Sequence, residues 1–386
     1  MKTTMKFFLT PLMLSVIALS YTSIAPAQIP ASDIGNTWSK TKQRSVQPKY
    51  IAYLTSWGLP DNAAELLMES KADAYMLSFA KWDELGKISS SDDIVEKPST
   101  IPSTAPESIP KGYLSWTKLA HASPQTQMII SFGGQEYEDI WNTMGSHDHS
   151  KVIANNIAKL LTTDFPVYQK ISKDDCQKNS CNDRSNYQII GYTQLSGIDF
   201  DFEQAARLSL EQNQQLAFLA KRVRELVDNS KSIVLTTYHV GADPINCKDS
   251  NIVENCSYRE PERSSHHGEV LNLLNSSIGV FDFYNVMTYD AGRNFDYKTS
   301  MNNYAKALGD PADLRFGISI NQQWGPPGGF VMPLQENNAR AAWQAQEKYG
   351  GFFVWALGAS SEGRSLGSQI RAFNSFIDAA KKAKTR

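Results

Sequence analysis

The chain has almost no excess charge of either sign: 38 Lys and Arg stand against 40 Asp and Glu, a formal net charge of −2. That balance argues against a partner held by bulk electrostatics, so neither nucleic acid nor an anionic membrane surface is expected, and an uncharged substrate suits it. Long apolar runs are missing beyond the first residues, so no later segment is expected to cross a bilayer. Histidine and cysteine are scarce, with 6 and 4 respectively. The cysteine spacings fit no usual zinc pattern and no histidine stands beside them, so no metal and no cofactor is expected. His266 and His267 fall in a polar stretch and read as solvated rather than ligating. There is no internal repeat beyond an alternation of strand and helix patterns, and no aromatic-rich accessory module.

The first residues carry the one apolar run. Lys2 and Lys6 precede Phe7 to Leu19, and Ala25-Pro26-Ala27 is a small-residue cleavage site before Gln28. Residues 1–27 are therefore expected to be a secretory signal peptide, since roughly 13 apolar residues broken by Pro11 are short for a span of about 20. An uncleaved anchor is the alternative. Secretion, extracellular or periplasmic, permits disulfides among the four cysteines. The sequence-local pairing is Cys176 with Cys181 and Cys247 with Cys256, and two other connectivities remain open.

What is present is a chain of 386 residues, enough for one large core, with short apolar runs alternating with helical patterns from Tyr50 onward. This is the pattern of repeated βα units and a parallel sheet. Eight strands are predicted, at Tyr50–Thr55, Ala74–Phe79, Gln127–Phe132, Leu195–Phe202, Ile233–Tyr238, Phe281–Tyr289, Leu314–Ile320 and Gly351–Ala356. An α/β fold of the (β/α)8 TIM-barrel type follows: a single catalytic domain over 49–386, preceded by a polar leader at 28–48.

Helices are expected at Ser209–Val227, with a Ser209/Gln212 capping box and an apolar stripe of Leu216, Leu219, Val223 and Leu226, at Pro333–Tyr349, and at about Ser365–Lys382. Only about 30 residues separate the seventh and eighth strands, too few for an inserted domain. The long stretch 84–110 follows the second strand and so belongs to the C-terminal face, where barrel enzymes hold their sites. The stretch 163–190 belongs to the opposite, stabilising face.

The chemistry lies on the fourth strand. In Gly197-Ile198-Asp199-Phe200-Asp201-Phe202-Glu203 a period of two puts the three acids on one side and the three apolar residues on the other. The apolar trio must face the helices, which turns the acids into the barrel, where unpaired carboxylates are costly. Like charges this close cannot all ionise, so a proton is retained and a pKa raised. Glu203, last on the strand, is best placed to donate it. The competing readings are pairing with buried Arg or Lys and binding of a divalent cation; basic residues are scarce on the other strands, and no second carboxylate cluster completes a cation cage.

Asp199-Phe200-Asp201-Phe202-Glu203 resembles the DxDxE motif of glycoside hydrolase family 18, the chitinases and related endo-N-acetylglucosaminidases. Ser131-Phe132-Gly133-Gly134 is similar to the family's SxGG, Met287-Thr288-Tyr289-Asp290 to its MxYD, and Trp355 to the tryptophan of its eighth strand. The family often begins the acidic motif with a further Asp, where this chain has Ser196, a change that bears on packing or on pKa tuning.

The resemblance implies that Glu203 protonates the glycosidic oxygen. Asp201 holds the acetamido N–H, and Asp199 shares a proton with Asp201, with Ser131 hydrogen-bonded behind. The substrate's own acetamido oxygen is then the nucleophile, through an oxazolinium ion and with retention of configuration. Tyr289 donates to that oxygen, Asp290 binds a sugar hydroxyl, Met287 accompanies them in the sugar-binding group, and Trp355 floors the site. Gly133 and Gly134 fit a wall where backbone passes close to a ligand, or a tight strand-end turn.

Trp57 and Trp324, just after the first and seventh strands, are candidate subsite walls, and Tyr53 and Tyr238 lie on strands that reach the site. Trp82 and Trp116 receive no assignment. Without an insertion the groove is expected to be open, favouring internal cleavage of chitin or another N-acetylglucosamine oligosaccharide by a monomer. An endo-N-acetylglucosaminidase acting on N-glycan cores and a non-catalytic chitinase-like lectin are the alternatives.

Overall fold

In the computed structural model the described residues are 47–96, 109–172, 174, 187–249, 254–258, 265–292, 295–324, 328–358 and 362–385. The predicted signal peptide, most of the leader, and Cys176 and Cys181 lie outside them. The elements run β1 (Tyr50–Thr55), α1 (Ala63–Leu67), β2 (Ala74–Trp82), β3 (Ile88–Ser90), α2 (Lys111–Ala122), β4 (Gln127–Gly133), α3 (His147–Leu161), β5 (Phe165–Lys170), β6 (Tyr187–Thr193), β7 (Gly197–Phe202), α4 (Leu210–Leu226), β8 (Ser232–Tyr238), α5 (Leu271–Ser276), β9 (Phe283–Met287), α6 (Tyr297–Leu308), β10 (Leu314–Ser319), α7 (Leu334–Gln346), β11 (Gly351–Leu357) and α8 (Leu366–Lys384).

Strands β1, β2, β4, β7, β8, β9, β10 and β11 pair in parallel, and β1 pairs with both β2 and β11, so the sheet closes. The result is the expected (β/α)8 barrel. All eight predicted strands are its staves.

Strand alternation builds two apolar layers. Ile51, Tyr53, Met76, Ile129, Val234, Phe283 and Phe353 fill the barrel interior. The opposite faces, including Ile198, Phe200 and Phe202, pack outward with Leu216, Leu219 and Val223. The capping box at Ser209 and Gln212 is present, which satisfies two donors at the start of α4. Leu226, expected in the stripe, is instead 37 % exposed, because the helix ends there. Between β10 and β11 the described residues hold a single bridge, Gln323 with Phe330, and α7, with no inserted domain.

Two features escaped the sequence reading. The stretch 84–110 contains β3, which folds back antiparallel on β2. The stretch 163–190 holds β5 and the start of β6, which pair antiparallel, with β5 tied to α2 by the Tyr113 hydroxyl on the Pro166 carbonyl at 2.9 Å. The leader's last residues are not loose. Arg315, buried on β10, donates from Nε to the Pro48 carbonyl at 2.8 Å and from a terminal nitrogen to the Gln47 side chain, fastening the chain entry across the base of the barrel.

Candidate active site

Asp199, Asp201 and Glu203 project from β7 and its end at the C-terminal mouth of the barrel, as the alternation requires. Asp199 is fully buried. Its Oδ2 accepts from the Tyr53 hydroxyl at 2.8 Å and the Ser131 hydroxyl at 2.7 Å, and its Oδ1 from the Thr236 hydroxyl at 2.8 Å. Asn285 donates in turn to the Thr236 oxygen at 3.0 Å. Hydroxyls from three staves, β1, β4 and β8, thus converge on one carboxyl. Burial pushes its pKa up to about 6, against the lowering effect of the three hydroxyl donors.

Asp201 is only 3 % exposed, and its Oδ1 has no hydrogen-bond partner among the described residues. Burial, then the neighbouring Glu203 and Asp199 charges, hold its pKa well above the carboxylate range. No described lysine or arginine offsets Asp199 or Asp201, which removes buried ion pairing as the reason for their burial. Glu203, half-buried, is the first residue beyond the strand.

Aromatic residues surround these acids. Trp355, half-buried, stacks on Phe79 with ring centroids 5.6 Å apart and meets Tyr53 edge-on at 5.6 Å. Tyr289 is buried edge-on against Phe353, and burial followed by the Asp201 charge raises its hydroxyl pKa far above the ordinary value. Met287 is buried in the barrel-interior cluster, where Tyr238 and Trp57 are partly buried. Trp324 is 43 % exposed at the rim.

Asp290, in a left-handed backbone conformation with φ 53°, uses Oδ1 to accept the Trp324 N–H, while its own N–H donates to Gln323. One oxygen expected to serve a sugar hydroxyl is therefore engaged in holding the Trp324 loop. The space around the two glycines of the SxGG-like segment is taken by protein: a Cβ on Gly133 would lie 2.2 Å from Trp141 Cζ2, and one on Gly134 2.7 Å from the Phe79 ring.

Other expectations need correction. His266 and His267 are buried, not solvated: His266 Nδ1 lies 2.9 Å from Glu269 and His267 Nδ1 2.9 Å from Asp243. The Asp243 carboxylate also receives Ser257 and Asn303, and these bonds fold the polar segment into the loop after β8. Cys247 lies in the same cluster, but its sulfur is joined to Cys256 as the local pairing anticipated. Ser196 hydrogen-bonds to Met128 and Ser232, not to the acids. It sits at the foot of β7, where its hydroxyl accepts the Met128 N–H at 3.1 Å, so the departure from the family motif is a packing change at the base. Trp82 and Trp116 are buried core residues.

Sequence reading missed Thr236 and Asn285, which the inward alternation along β8 and β9 could have flagged, and Trp141, whose indole donates to the Glu203 carbonyl at 3.0 Å and which no pattern signalled.

A closed parallel barrel whose C-terminal mouth holds stacked, buried carboxyls among aromatic rings defines a barrel of the glycosidase class. The chain belongs to glycosyl hydrolases family 18, whose sequence profile matches residues 49–325. Similar solved structures include the group IV chitinase of Ostrinia furnacalis, solved with allosamidin, at 11 % identity and TM-score 0.54, covering 87 % of this chain and 100 % of that one. A Rhizomucor miehei chitinase aligns at 13 % identity and TM-score 0.52, covering 85 % and 99 %. A family 18 chitinase of Pseudoalteromonas aurantia aligns at 16 % identity and TM-score 0.50, covering 84 % and 99 %. Likeness at this identity shows the fold alone. No curated protein matches the chain.

Proposed function

We propose that the chain is a secreted chitinase that cleaves β-1,4-linked N-acetylglucosamine polymers internally, with retention, through the substrate's own acetamido group. The observation that carries this reading is the Asp201 carboxyl: buried, without a partner for Oδ1 among the described residues, and between two further acids. An orphaned buried acceptor is expensive in the free protein. An acetamido N–H arriving there would satisfy it.

In this reading Glu203 protonates the glycosidic oxygen and takes the proton back from water in the second step. Asp201 orients the acetamido group so that its oxygen closes on C1, and Asp199, wired to Tyr53, Ser131 and Thr236, sets the charge on Asp201. The Tyr289 hydroxyl, kept protonated by burial, donates to the acetamido oxygen as charge develops. Trp355 supplies a flat apolar face under the reacting sugar, and Trp57 and Trp324 line neighbouring subsites. The absence of an inserted domain between β10 and β11 leaves that side open, which favours internal cleavage.

The test is NMR of the folded protein with N-acetylglucosamine hexamer. Short oligomers appearing first as the β-anomer, and lost with Glu203→Gln, support the proposal. A first-formed α-anomer rules out this mechanism, and no cleavage of the hexamer with release of N-glycans moves the substrate to chitobiose cores.

A further inference from the structure

We infer that Trp141 and Glu138 are positioning residues for Glu203, holding its main chain from the adjacent stave so that the carboxyl faces the cleft; this deepens the proposed hydrolysis and rests on it. Strand β7 ends at Phe202, the last residue in register with β8, so Glu203 stands just beyond the ladder that fixes Asp199 and Asp201. A proton donor there needs another source of rigidity, because general-acid chemistry depends on placement within hydrogen-bond reach of the leaving oxygen.

The short 3-10 segment Gln135–Asn142, which follows β4, supplies it on both sides. The Trp141 indole N–H donates to the Glu203 carbonyl at 3.0 Å. Two residues on, the Ala205 N–H donates to the Glu138 carboxylate. Neither bond uses the Glu203 side chain.

Trp141 is itself immobilised. It is fully buried, edge-on to Phe202 at 5.0 Å and to Trp82 at 5.7 Å. Its ring also lies so close to Gly133 that a Cβ there would fall 2.2 Å from Cζ2. The glycine of the SxGG-like segment thus makes room for the ring that holds the proton donor. The Asp201 carbonyl, which accepts the Gly134 N–H at 3.0 Å and the Glu203 N–H at 3.1 Å, joins the same two staves one step earlier. The register of β4 against β7 is in this way transmitted to residues beyond the sheet.

Trp141→Phe removes the N–H and keeps an aromatic ring. With 4-nitrophenyl diacetylchitobioside, kcat is expected to fall on the order of tenfold to a hundredfold, with KM nearly unchanged. The second readout does not need turnover: the carboxyl titration of Asp201 followed by 13C NMR. Glu203→Gln removes a charge that raises the Asp201 midpoint and so lowers it; Trp141→Phe, by letting that charge move away, should lower it in the same direction.

Glu138→Ala should reproduce both effects and Glu138→Gln, which keeps an acceptor oxygen, should reverse them; this pair decides the matter if Trp141→Phe does not fold. Wild-type kcat and an unmoved Asp201 midpoint in folded Trp141→Phe and Glu138→Ala overturn the inference. A wild-type protein that hydrolyses no N-acetylglucosamine substrate overturns the proposed function instead, and the Asp201 titration then still decides whether Trp141 positions Glu203.

Discussion

Replacing Asp199 by Asn should make the protein's stability less dependent on pH. The buried carboxyl is pushed from its ordinary 3.8 to about 6. A folded-state pKa above the unfolded one means that the native state binds the proton more tightly, so the stability it confers is complete below the unfolded pKa and declines as pH rises through the folded pKa. The window is therefore roughly pH 4 to 6. A displacement of about two pKa units corresponds to about 3 kcal/mol of stability lost on going from acid to neutral pH. Full burial means that solvent screening does not reduce this figure.

An amide at this position has no proton to lose. Its oxygen can accept from Tyr53 and Ser131, and its NH2 can donate to the Thr236 oxygen, which now lies 2.8 Å from Asp199 Oδ1. Urea unfolding of the folded chain at several pH values between 4 and 7 measures the difference directly. The wild-type free energy should fall with pH relative to Asp199→Asn by up to about 3 kcal/mol, with most of the change below pH 6.5. Parallel curves for the two proteins would refute the claim that burial rather than hydroxyl donation dominates this carboxyl. A gap opening in the opposite direction would mean that the three donors hold the charged form more strongly than burial opposes it.

Gly133→Ala should abolish folding or lower stability by more than about 3 kcal/mol, because φ is +97° and the added carbon would meet Trp141 at 2.2 Å and the Asp201 carbonyl oxygen at 2.6 Å; thermal melting checks it. Asp282→Ala should cost about 3–5 kcal/mol, because it strips the buried Arg224 guanidinium of its carboxylate and the Ile233 N–H of its acceptor, and urea unfolding reads the loss. Asp290→Ala should release the Trp324 loop and raise KM for the N-acetylglucosamine hexamer more than it lowers kcat, as measured by initial rates across hexamer concentration.

Much of this architecture is legible in one dimension because its causes are local. Alternation at Ile198, Phe200 and Phe202 against Asp199, Asp201 and Glu203 has only one assignment that buries the apolar trio against helices, and the structure adopts it. The capping box at Ser209 is likewise written in four consecutive residues. Errors arose where burial depends on what lies across space. His266 and His267 look solvated in a polar segment, yet Asp243, Glu269, Ser257 and Asn303 come together to receive that segment as a buried hydrogen-bonded loop. Ser196 reads as a perturbed motif position, but its height on the stave puts it at the barrel base with Met128.

The order of strands and helices, their βα alternation and the side of β7 that carries acids were determined by the sequence itself, because side-chain periodicity and capping act between residues a few positions apart. Only the tertiary structure decided which hydroxyls hold Asp199, that Asp201 keeps an oxygen without a partner among the described residues, that Asp290 ties down Trp324, and that Trp141 reaches the main chain of Glu203. Those contacts join residues tens to hundreds of positions apart. Their existence depends on strand register and barrel closure, which local pattern constrains but does not set.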